Sequence, residues 1–393
     1  MTALLNIPRA RPARLLALVA AFFLAACDPA LGPVAGGGPR PGPEAPVSVA
    51  LLVPGGQSGA GDAVVSRSLE NAARLAVADL QGVTVDLRVY PTGGTAEGAR
   101  AAAAQAAAEG AAILLGPLYA EAANAAGLAV AGEGLNVLAF SNNTAIAGGN
   151  VFLLGNTFDT VARRLTGYAA AEGKGDLVLA HARTTAEEAG RDAVLRAAAA
   201  TGATVLGTVS FDLEEGSIRD AAGRIAEEVN AAGADSIVFA SGNAGAMAFL
   251  PQYLGERGVT SETAQYIGLT RLDLPPQALS QPGLQGAWFA LPDPALDSRF
   301  RTRYAQAHGN EPHPLAGLAY DGIAAIGALV AERGGNALSR AALTTDSGFV
   351  GVNGIFRLRA DGTNERGLAV AQIQNNQVVV IDPAPRRFGA AGF

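Results

Sequence analysis

Residues 83–118 read VTVDLRVYPTGGTAEGARAAAAQAAAEGAAILLGPL, and this segment contains the repeating unit of the whole chain. Apolar runs at Val83–Tyr90 and Ala112–Leu115 enclose an alanine-rich segment, Thr95–Glu109, which has high helix propensity. Thr95 is a suitable N-cap because its hydroxyl can accept a hydrogen bond from a first-turn amide. Since neighbouring parallel strands need a crossover, usually a helix, the segment predicts a β-α-β unit.

The same alternation continues on both sides of this segment. Further strands are predicted at Val47–Val53, Asn136–Phe140, Asp176–Ala180, Thr204–Ser210, Ser236–Ala240 and Tyr266–Leu269. Further helices are predicted at Ser66–Leu80, Tyr119–Glu133, Asp159–Glu172, Ala189–Thr201, Ser217–Ala232 and Gly245–Arg257, with Ser217 as a cap. Continuous apolar runs are typical of parallel strands that are covered on both faces. Because the chain is too long for one core, we expect an α/β fold with two lobes, each a doubly wound, mainly parallel sheet flanked by helices.

The N-terminal segment ends in Leu24-Ala25-Ala26-Cys27, and Cys27 is the only cysteine of the chain. Three arginines precede an apolar run from Leu15 to Leu24. This order resembles a bacterial lipoprotein signal. The alternative, a transmembrane helix, is disfavoured because the run is too short to cross a hydrocarbon core of about 30 Å. The resemblance implies that residues 1–26 are a signal peptide and that Cys27 is lipidated.

The segment after the signal connects the anchor to the folded part. Residues 27–46 are rich in proline and glycine and are predicted to be a tether. We therefore expect a periplasmic protein that is held to a membrane by its lipid. Asp28 resembles the signal that retains lipoproteins in the inner membrane, which favours that membrane, with the outer membrane as the alternative.

Charge and composition exclude several classes of function. Residues 1–26 hold three of the 28 basic residues and no acidic residue. Without them, the remaining chain has 25 basic and 35 acidic residues and a net charge of −10. Such a surface does not suit nucleic acid. The three histidines form no metal-binding motif, and neither a nucleotide-binding glycine motif nor a nucleophile elbow is present. We therefore expect no enzymatic activity, no cofactor and no metal, and we interpret Glu187 and Glu188 as solvated charges.

Small polar residues recur in the loops that follow predicted strands. Ligands of open α/β sheets bind at the carboxyl ends of the strands, so these loops are the candidate ligand-binding site. The candidate residues are Gln57, Ser58, Gly116, Pro117, Ser141, Asn142, Asn143, Thr144, Ser241 and Asn243. Each group also has a purely structural interpretation. The Gly-Pro pair is a turn, the Ser-Asn-Asn run is a set of turn formers, and Ser241 is a helix N-cap.

The order of these segments resembles the type I periplasmic binding proteins of the leucine-binding class. The resemblance is carried by VALLVP at residues 49–54, residues 83–118, NVLAFSNN at 136–143, Ala319-Tyr320-Asp321 and GVNGIFR at 351–357. It implies two lobes joined by three crossovers around a cleft that closes by hinge bending. Lobe 1 would be 47–155 plus 291–365, lobe 2 would be 156–290 plus 366–385, and 386–393 would be a tail.

The resemblance leaves two functional branches open. Amino-acid receptors of the class hold the ligand ammonium with an acid after a lobe 2 strand. Here that position falls near residues 244–245, where no carboxylate exists. A first-lobe hydroxyl is also expected near Ala120, although Thr144 could serve. Because a buried ammonium without a negative partner is costly, these departures count against binding of ordinary amino acids.

The other branch comprises the penicillin-binding protein activators, which are lipoproteins thought to regulate peptidoglycan synthases. YPTGGTAEGA, residues 90–99, resembles their corresponding segment, as do the lipoprotein signal and the tether. The sequence therefore favours a non-enzymatic activator with a penicillin-binding protein as partner. The alternative is a substrate-binding protein of an ABC transporter, with a permease as partner and a small polar ligand such as an amino acid in the cleft. A third possibility is a binding fold that serves only as an envelope scaffold.

Overall fold

A computed structural model of the chain describes residues 46–56, 59–334 and 337–389. The predicted signal peptide, the anchor Cys27, the tether up to residue 45, and the candidates Gln57 and Ser58 lie outside the described residues. The last four residues of the predicted tail do so as well. None of the helices in the described ranges combines the length and apolarity required to cross a bilayer.

Lobe 1 is built on a five-stranded parallel sheet in the order β2-β1-β3-β4-β5. Its strands are β1 (Val47–Val53), β2 (Val85–Pro91), β3 (Ile113–Leu115), β4 (Val137–Ala139) and β5 (Val151–Leu153). The helices that follow its first three strands are α1 (Ala60–Asp79), α2 (Ala96–Ala108) and α3 (Ala120–Val130). Two apolar clusters, one on each face, bury the central strands completely, which explains their continuous apolar sequences.

Lobe 2 is built on a seven-stranded mixed sheet in the order β15-β14-β10-β9-β8-β6-β7. Its strands are β6 (Asp176–Ala182), β7 (Thr204–Phe211), β8 (Ser236–Phe239), β9 (Gln265–Gly268), β10 (Trp288–Leu291), β14 (Ala369–Gln374) and β15 (Gln377–Asp382). Its helices are α4 (Phe158–Ala171), α5 (Thr185–Thr201), α6 (Glu215–Ala232) and α7 (Leu250–Gly255). Strands β6 to β10 pair in parallel, whereas β14 and β15 extend the sheet in antiparallel pairing.

The segment between the last parallel strand and β14 returns to lobe 1. It contains α8 (Pro294–His308), α9 (Ala316–Arg333), α10 (Arg340–Leu343) and the antiparallel strands β11 (Phe349–Gly351), β12 (Gly354–Leu358) and β13 (Asn364–Arg366). α9 packs against α1 within the apolar cluster of lobe 1. The chain therefore passes between the two sheets three times, near residues 154–157, 291–294 and 366–369.

The prediction of a two-lobed α/β fold with helix-flanked, mainly parallel sheets is confirmed. The first strand, Val47–Val53, has the predicted bounds, and Thr95 caps α2 by accepting a hydrogen bond from Gly98 N (3.0 Å). The predicted cap at Ser217 is wrong. α6 begins two residues earlier, and the Ser217 hydroxyl instead accepts a hydrogen bond from Asp212 N (3.0 Å).

Candidate ligand-binding site

The strand order of lobe 1 reverses between β1 and β3, and Gly116-Pro117 follows β3 at this switch point. The peptide bond between these two residues is cis, and Gly116 has a φ of +89°. A Cβ at Gly116 would lie 2.2 Å from the carbonyl oxygen of Leu52, so only glycine fits beside β1. The pair thus forms the turn into α3. The hydroxyl of Tyr119, at the N-cap of α3, donates a hydrogen bond to Asp62 at the start of α1.

The loop after β4 is organised by its own polar side chains. The buried Ser141 Oγ accepts a hydrogen bond from Asn143 N (3.2 Å), and Asn143 Oδ1 accepts one from Ala145 N (3.0 Å). Asn143 thereby caps a short 3-10 turn that begins at Thr144. The structural interpretation therefore accounts for two of the predicted residues, while the side chain of Asn142 is exposed.

The strand order of lobe 2 reverses between β6 and β8, and one carboxylate spans this switch point. Glu187 Oε2 accepts hydrogen bonds from Ala182 N at the end of β6 (2.5 Å) and from Ser241 Oγ after β8 (2.5 Å). Glu187 lies in the first turn of α5, whose N-cap Thr184 accepts from the Glu187 amide (3.3 Å). Ser241 is thus not a helix N-cap; it binds a carboxylate.

The position of Glu187 corrects its interpretation as a solvated charge. The side chain is half-buried, and Oε1 lies 3.8 Å from the point that a Cβ on Gly245 would occupy. Residues 244–245 lack an acid of their own, so Glu187 supplies a carboxylate to this loop. Among the described residues, no arginine, lysine or histidine lies within ion-pair distance of it. The sequence carries a signal for its position, because residues 184–187 match the Thr-x-x-Glu pattern of a capping box shortly after an apolar strand. The Glu187 side chain, however, binds Ala182 N and Ser241 Oγ instead of the Thr184 amide.

Two further polar side chains lie in the loops that follow β8 and β9. Asn243 Nδ2 donates to the carbonyl oxygens of Leu272 (2.8 Å) and Leu274 (3.0 Å), and so fixes the loop that follows β9. Asn243 Oδ1 and Thr270 Oγ1 are buried, and neither has a hydrogen-bond partner among the described residues. Because buried polar groups are normally paired, both atoms mark this end of the sheet as a site for polar contacts. Thr270 was not a sequence candidate.

A cavity of about 360 Å³ lies to one side of these strand ends, beside the chain crossovers. Thr144 is one of its lining residues, whereas the Gly-Pro turn, Ser141, Ser241 and Asn243 do not line it. The candidates therefore divide into three places: the strand ends of lobe 1, the strand ends of lobe 2, and the edge of this cavity.

Comparisons with known proteins agree with this arrangement. The family model described as "periplasmic binding protein" matches residues 46–377. A crystal structure described as a branched-chain amino acid ABC transporter of Rhodospirillum rubrum has a TM-score of 0.73 at 19% identity, covering 86% of this chain and all of the other.

Two further solved structures are similar. A substrate-binding protein of Desulfitobacterium hafniense in complex with Leu has a TM-score of 0.66 at 18% identity, covering 86% of this chain and all of the other. A branched-chain amino acid ligand-binding protein of Burkholderia xenovorans has a TM-score of 0.68 at 17% identity, covering 88% and 97%. These likenesses show the fold. No curated protein matches the chain.

Proposed function

Because this chain belongs to the periplasmic binding protein family, we propose that it is the substrate-binding component of an ABC importer for a small amino acid. The family places the protein in the periplasm and makes a small ligand in the cleft its expected cargo. The observation that carries the proposal is the carboxylate of Glu187 at the switch point of lobe 2.

Glu187 supplies the group whose absence argued against amino acids. A ligand ammonium that leaves water needs a negative partner, and the sequence near residues 244–245 offers none. In the folded chain, Ser241 and the amide of Ala182 hold Glu187 Oε2, so the carboxylate is fixed before a ligand arrives. Oε1 lies on the side of Gly245. An ammonium bound there would gain a charge-assisted hydrogen bond to a fixed acceptor.

Lobe 1 offers complementary groups for a ligand carboxylate. α3 has 11 residues, and no side chain caps its N-terminus at Tyr119. First-turn amides without an intrahelical partner, together with the helix dipole, attract anions. A zwitterion could therefore place its carboxylate against lobe 1 and its ammonium against lobe 2. A ligand that contacts both lobes favours the closed state by its differential affinity.

The neighbouring apolar side chain favours an aliphatic ligand. Leu213 is 48% exposed, and its Cδ2 lies 3.8 Å from the point that a Cβ on Gly245 would occupy. An apolar ligand side chain that covered this leucine would remove apolar surface from water. The similar proteins from R. rubrum and B. xenovorans are described as branched-chain amino acid proteins, which agrees with such a ligand.

The activator hypothesis loses its main support. The sequence favoured a penicillin-binding protein activator because no acid was found for the ammonium, and Glu187 removes that reason. The solved structures reported above are described as ABC transporter proteins. We accordingly propose a permease as the membrane partner. Lipidation at Cys27 remains part of the proposal, on the strength of the lipoprotein signal in the sequence.

Substitution of Glu187, with its neighbour Glu188 as the control, tests the proposal. The purified full chain is screened against the 20 amino acids by thermal shift, since a ligand at 100 times its Kd adds about 2.7 kcal/mol of stability. The Kd of the best ligand is then measured for wild type, Glu187→Gln and the control Glu188→Gln by calorimetry. Glutamine can still accept the bond from Ser241, so the fold is retained. We expect Glu187→Gln to raise the Kd at least about 30-fold, as for a desolvated charge pair worth 2 kcal/mol or more, and Glu188→Gln to leave it unchanged.

Two results would contradict the proposal. The first is that none of the 20 amino acids shifts the melting temperature. The second is that Glu187→Gln binds the best ligand as tightly as wild type does. A chain that ignores amino acids but retains a penicillin-binding protein on an affinity column would restore the activator hypothesis.

A further inference from the structure

The cavity beside the crossovers is bounded by both lobes. One wall is the start of α4 together with part of α5, in lobe 2, and the opposite wall is the hairpin of β12 and β13. The loop of this hairpin contacts the edge of the lobe 1 sheet at β5, where Leu153 N donates to Gly362 O (2.9 Å). The volume of about 360 Å³ is at the small end of the range for ligand pockets.

The walls carry an excess of positive charge. Five arginines and three carboxylates line the cavity, which leaves a net charge of +2. Three charged groups just behind the walls pair with lining residues: Arg357 with Glu365, Asp382 with Arg164, and Asp321 with Arg366. Including this arginine and these two carboxylates, the net charge is still +1. This positive charge is confined to the cavity, whereas the chain as a whole has a net charge of −7.

Two of the lining side chains are buried and have an unpaired polar atom. Arg366 is 3% exposed, and its Nε donates to Leu154 O (2.8 Å) and its Nη1 to Asp321 (3.0 Å). Its guanidinium lies over the Phe356 ring (4.6 Å), and Nη2 has no hydrogen-bond partner among the described residues. Asn364 is 5% exposed, and its Nδ2 donates to Leu153 O (2.9 Å) and Gly155 O (2.7 Å). These two bonds fix the orientation of the amide and leave Oδ1 as an unpaired acceptor.

The exposed part of the wall adds a free cation. Arg196 pairs with Asp159 (2.7 Å), and Arg359 lies 3.5 Å from Glu365. Arg163, on the first turns of α4, has no hydrogen bond or ion pair within the part of the chain that the structure describes. The positive end of the α4 dipole points to the same space. An unpaired guanidinium nitrogen in the buried wall and an unpaired guanidinium at the rim thus line one small cavity.

We propose that this cavity binds a small oxyanion of the phosphate type, with Arg163 and Arg366 as its cationic partners. Guanidinium groups suit phosphate oxygens because their N–H donors match the spacing of two oxygens. The acceptor at Asn364 Oδ1 favours an oxyanion that carries a proton, as hydrogen phosphate does and sulfate does not. Since Arg163 belongs to lobe 2 and Arg366 to the hairpin, a bound anion links the two sides of the hinge.

Calorimetry in a chloride buffer of constant ionic strength tests this site. Inorganic phosphate is titrated into the full chain, and sulfate and glycerol 3-phosphate are titrated in parallel. We expect saturable phosphate binding, at least about tenfold weaker sulfate binding, and at least a tenfold loss of phosphate affinity in Arg163→Gln, which corresponds to one charged contact. Arg299→Gln is the matched control, because Arg299 is also exposed on a helix but does not line the cavity.

The remaining arms separate the alternatives. Tighter binding of glycerol 3-phosphate than of phosphate would support the site and identify a phosphomonoester as its occupant. Glu187→Gln should bind phosphate as wild type does, so the result does not depend on the amino-acid proposal. Absence of saturable phosphate binding in the millimolar range, or equal losses in Arg163→Gln and Arg299→Gln, would overturn the inference.

Discussion

Replacement of Asp321 by asparagine should destabilise the protein more than any surface change. Asp321 is fully buried on α9, and Oδ2 accepts hydrogen bonds from Arg366 Nη1 (3.0 Å) and Asn353 Nδ2 (3.1 Å). Oδ1 accepts one from Val352 N (2.7 Å). Burial raises the pKa of the Asp321 carboxyl, and the Arg366 guanidinium beside it opposes that rise. One carboxylate thus accepts hydrogen bonds from three donors.

The magnitude follows from what asparagine leaves behind. Its uncharged side chain no longer balances the buried Arg366, and its amide NH2 points a donor at other donors. Removing one partner of a buried ion pair costs about 3–5 kcal/mol. Relaxation is restricted, since a Cβ on Gly351 would lie only 2.1 Å from Asp321 Oδ1 and the backbone is therefore already in close contact. We expect a loss of about 3–5 kcal/mol in the free energy of unfolding.

Urea denaturation of four proteins measures this effect: wild type, Asp321→Asn, Arg366→Met and the double variant. The double variant should lose less than the sum of the single losses, because it contains no unpaired buried charge. Asp86→Asn, which breaks an exposed pair with Arg88, is the control and should leave the urea midpoint unchanged. A loss below about 1 kcal/mol for Asp321→Asn, or strict additivity in the double variant, would refute the reasoning.

Three further predictions concern other parts of the chain. Gly116→Ala should lower the free energy of unfolding by at least about 2 kcal/mol, because a positive φ is combined with overlap of the new Cβ with Leu52 O. Gly134→Ala, at a positive φ in open space, should lower it by only about 1 kcal/mol, and urea denaturation measures both. Burial lowers the pKa of His313 below its ordinary value, so the neutral ring is favoured in the folded state. Its stabilising contribution should be lost as the pH falls from about 6.5 towards that lower value, and His313→Gln should reduce the fall in melting temperature between pH 7 and pH 5. A melting profile that His313→Gln leaves unaltered would contradict this. Cys27→Ser should abolish metabolic lipid labelling, whereas persistent labelling would disprove the lipoprotein anchor.

The sequence predicted eight of the ten parallel strands in the described residues, missing β5 and β10, and it predicted the crossover region poorly, for a physical reason. Strands such as Val47–Val53 are buried on both faces and are therefore continuously apolar. β13, Asn364–Arg366, is buried too, but its side chains bind backbone carbonyls and a carboxylate instead of packing in an apolar core. A polar strand of this kind has no apolar periodicity to reveal it. No elements were predicted beyond about residue 270.

The candidate site shows a similar division. Loop positions after strands follow from the β-α-β alternation, so Ser141 and Ser241 could be named as candidates from the sequence. Glu187 was not a sequence candidate because its position at the strand ends depends on a contact with Ser241, 54 residues away in the chain. A capping box shows where a helix begins, but only the strand order shows that β6 and β8 are neighbours. The hydrogen bond between Ser241 and Glu187 therefore depends on the tertiary structure and could not be predicted from local sequence.

Contacts at the crossovers should affect the stability of the protein, whereas contacts at the strand ends should affect ligand binding. Asn364 and Arg366 bind the carbonyls of Leu153, Leu154 and Gly155 through side chains, so the starts of the first and third crossovers are joined mainly by side-chain hydrogen bonds, beside one backbone bond from Leu153 N to Gly362 O. Such joints can retain their bonds while the lobes change their angle. The Asp321 pair anchors this joint to α9, whereas Glu187 belongs only to the strand ends of lobe 2. Asp321→Asn should therefore lower stability with little effect on ligand specificity, and Glu187→Gln should weaken binding at unchanged stability. A common loss of both properties in both variants would show that the cleft and the crossovers are one cooperative unit.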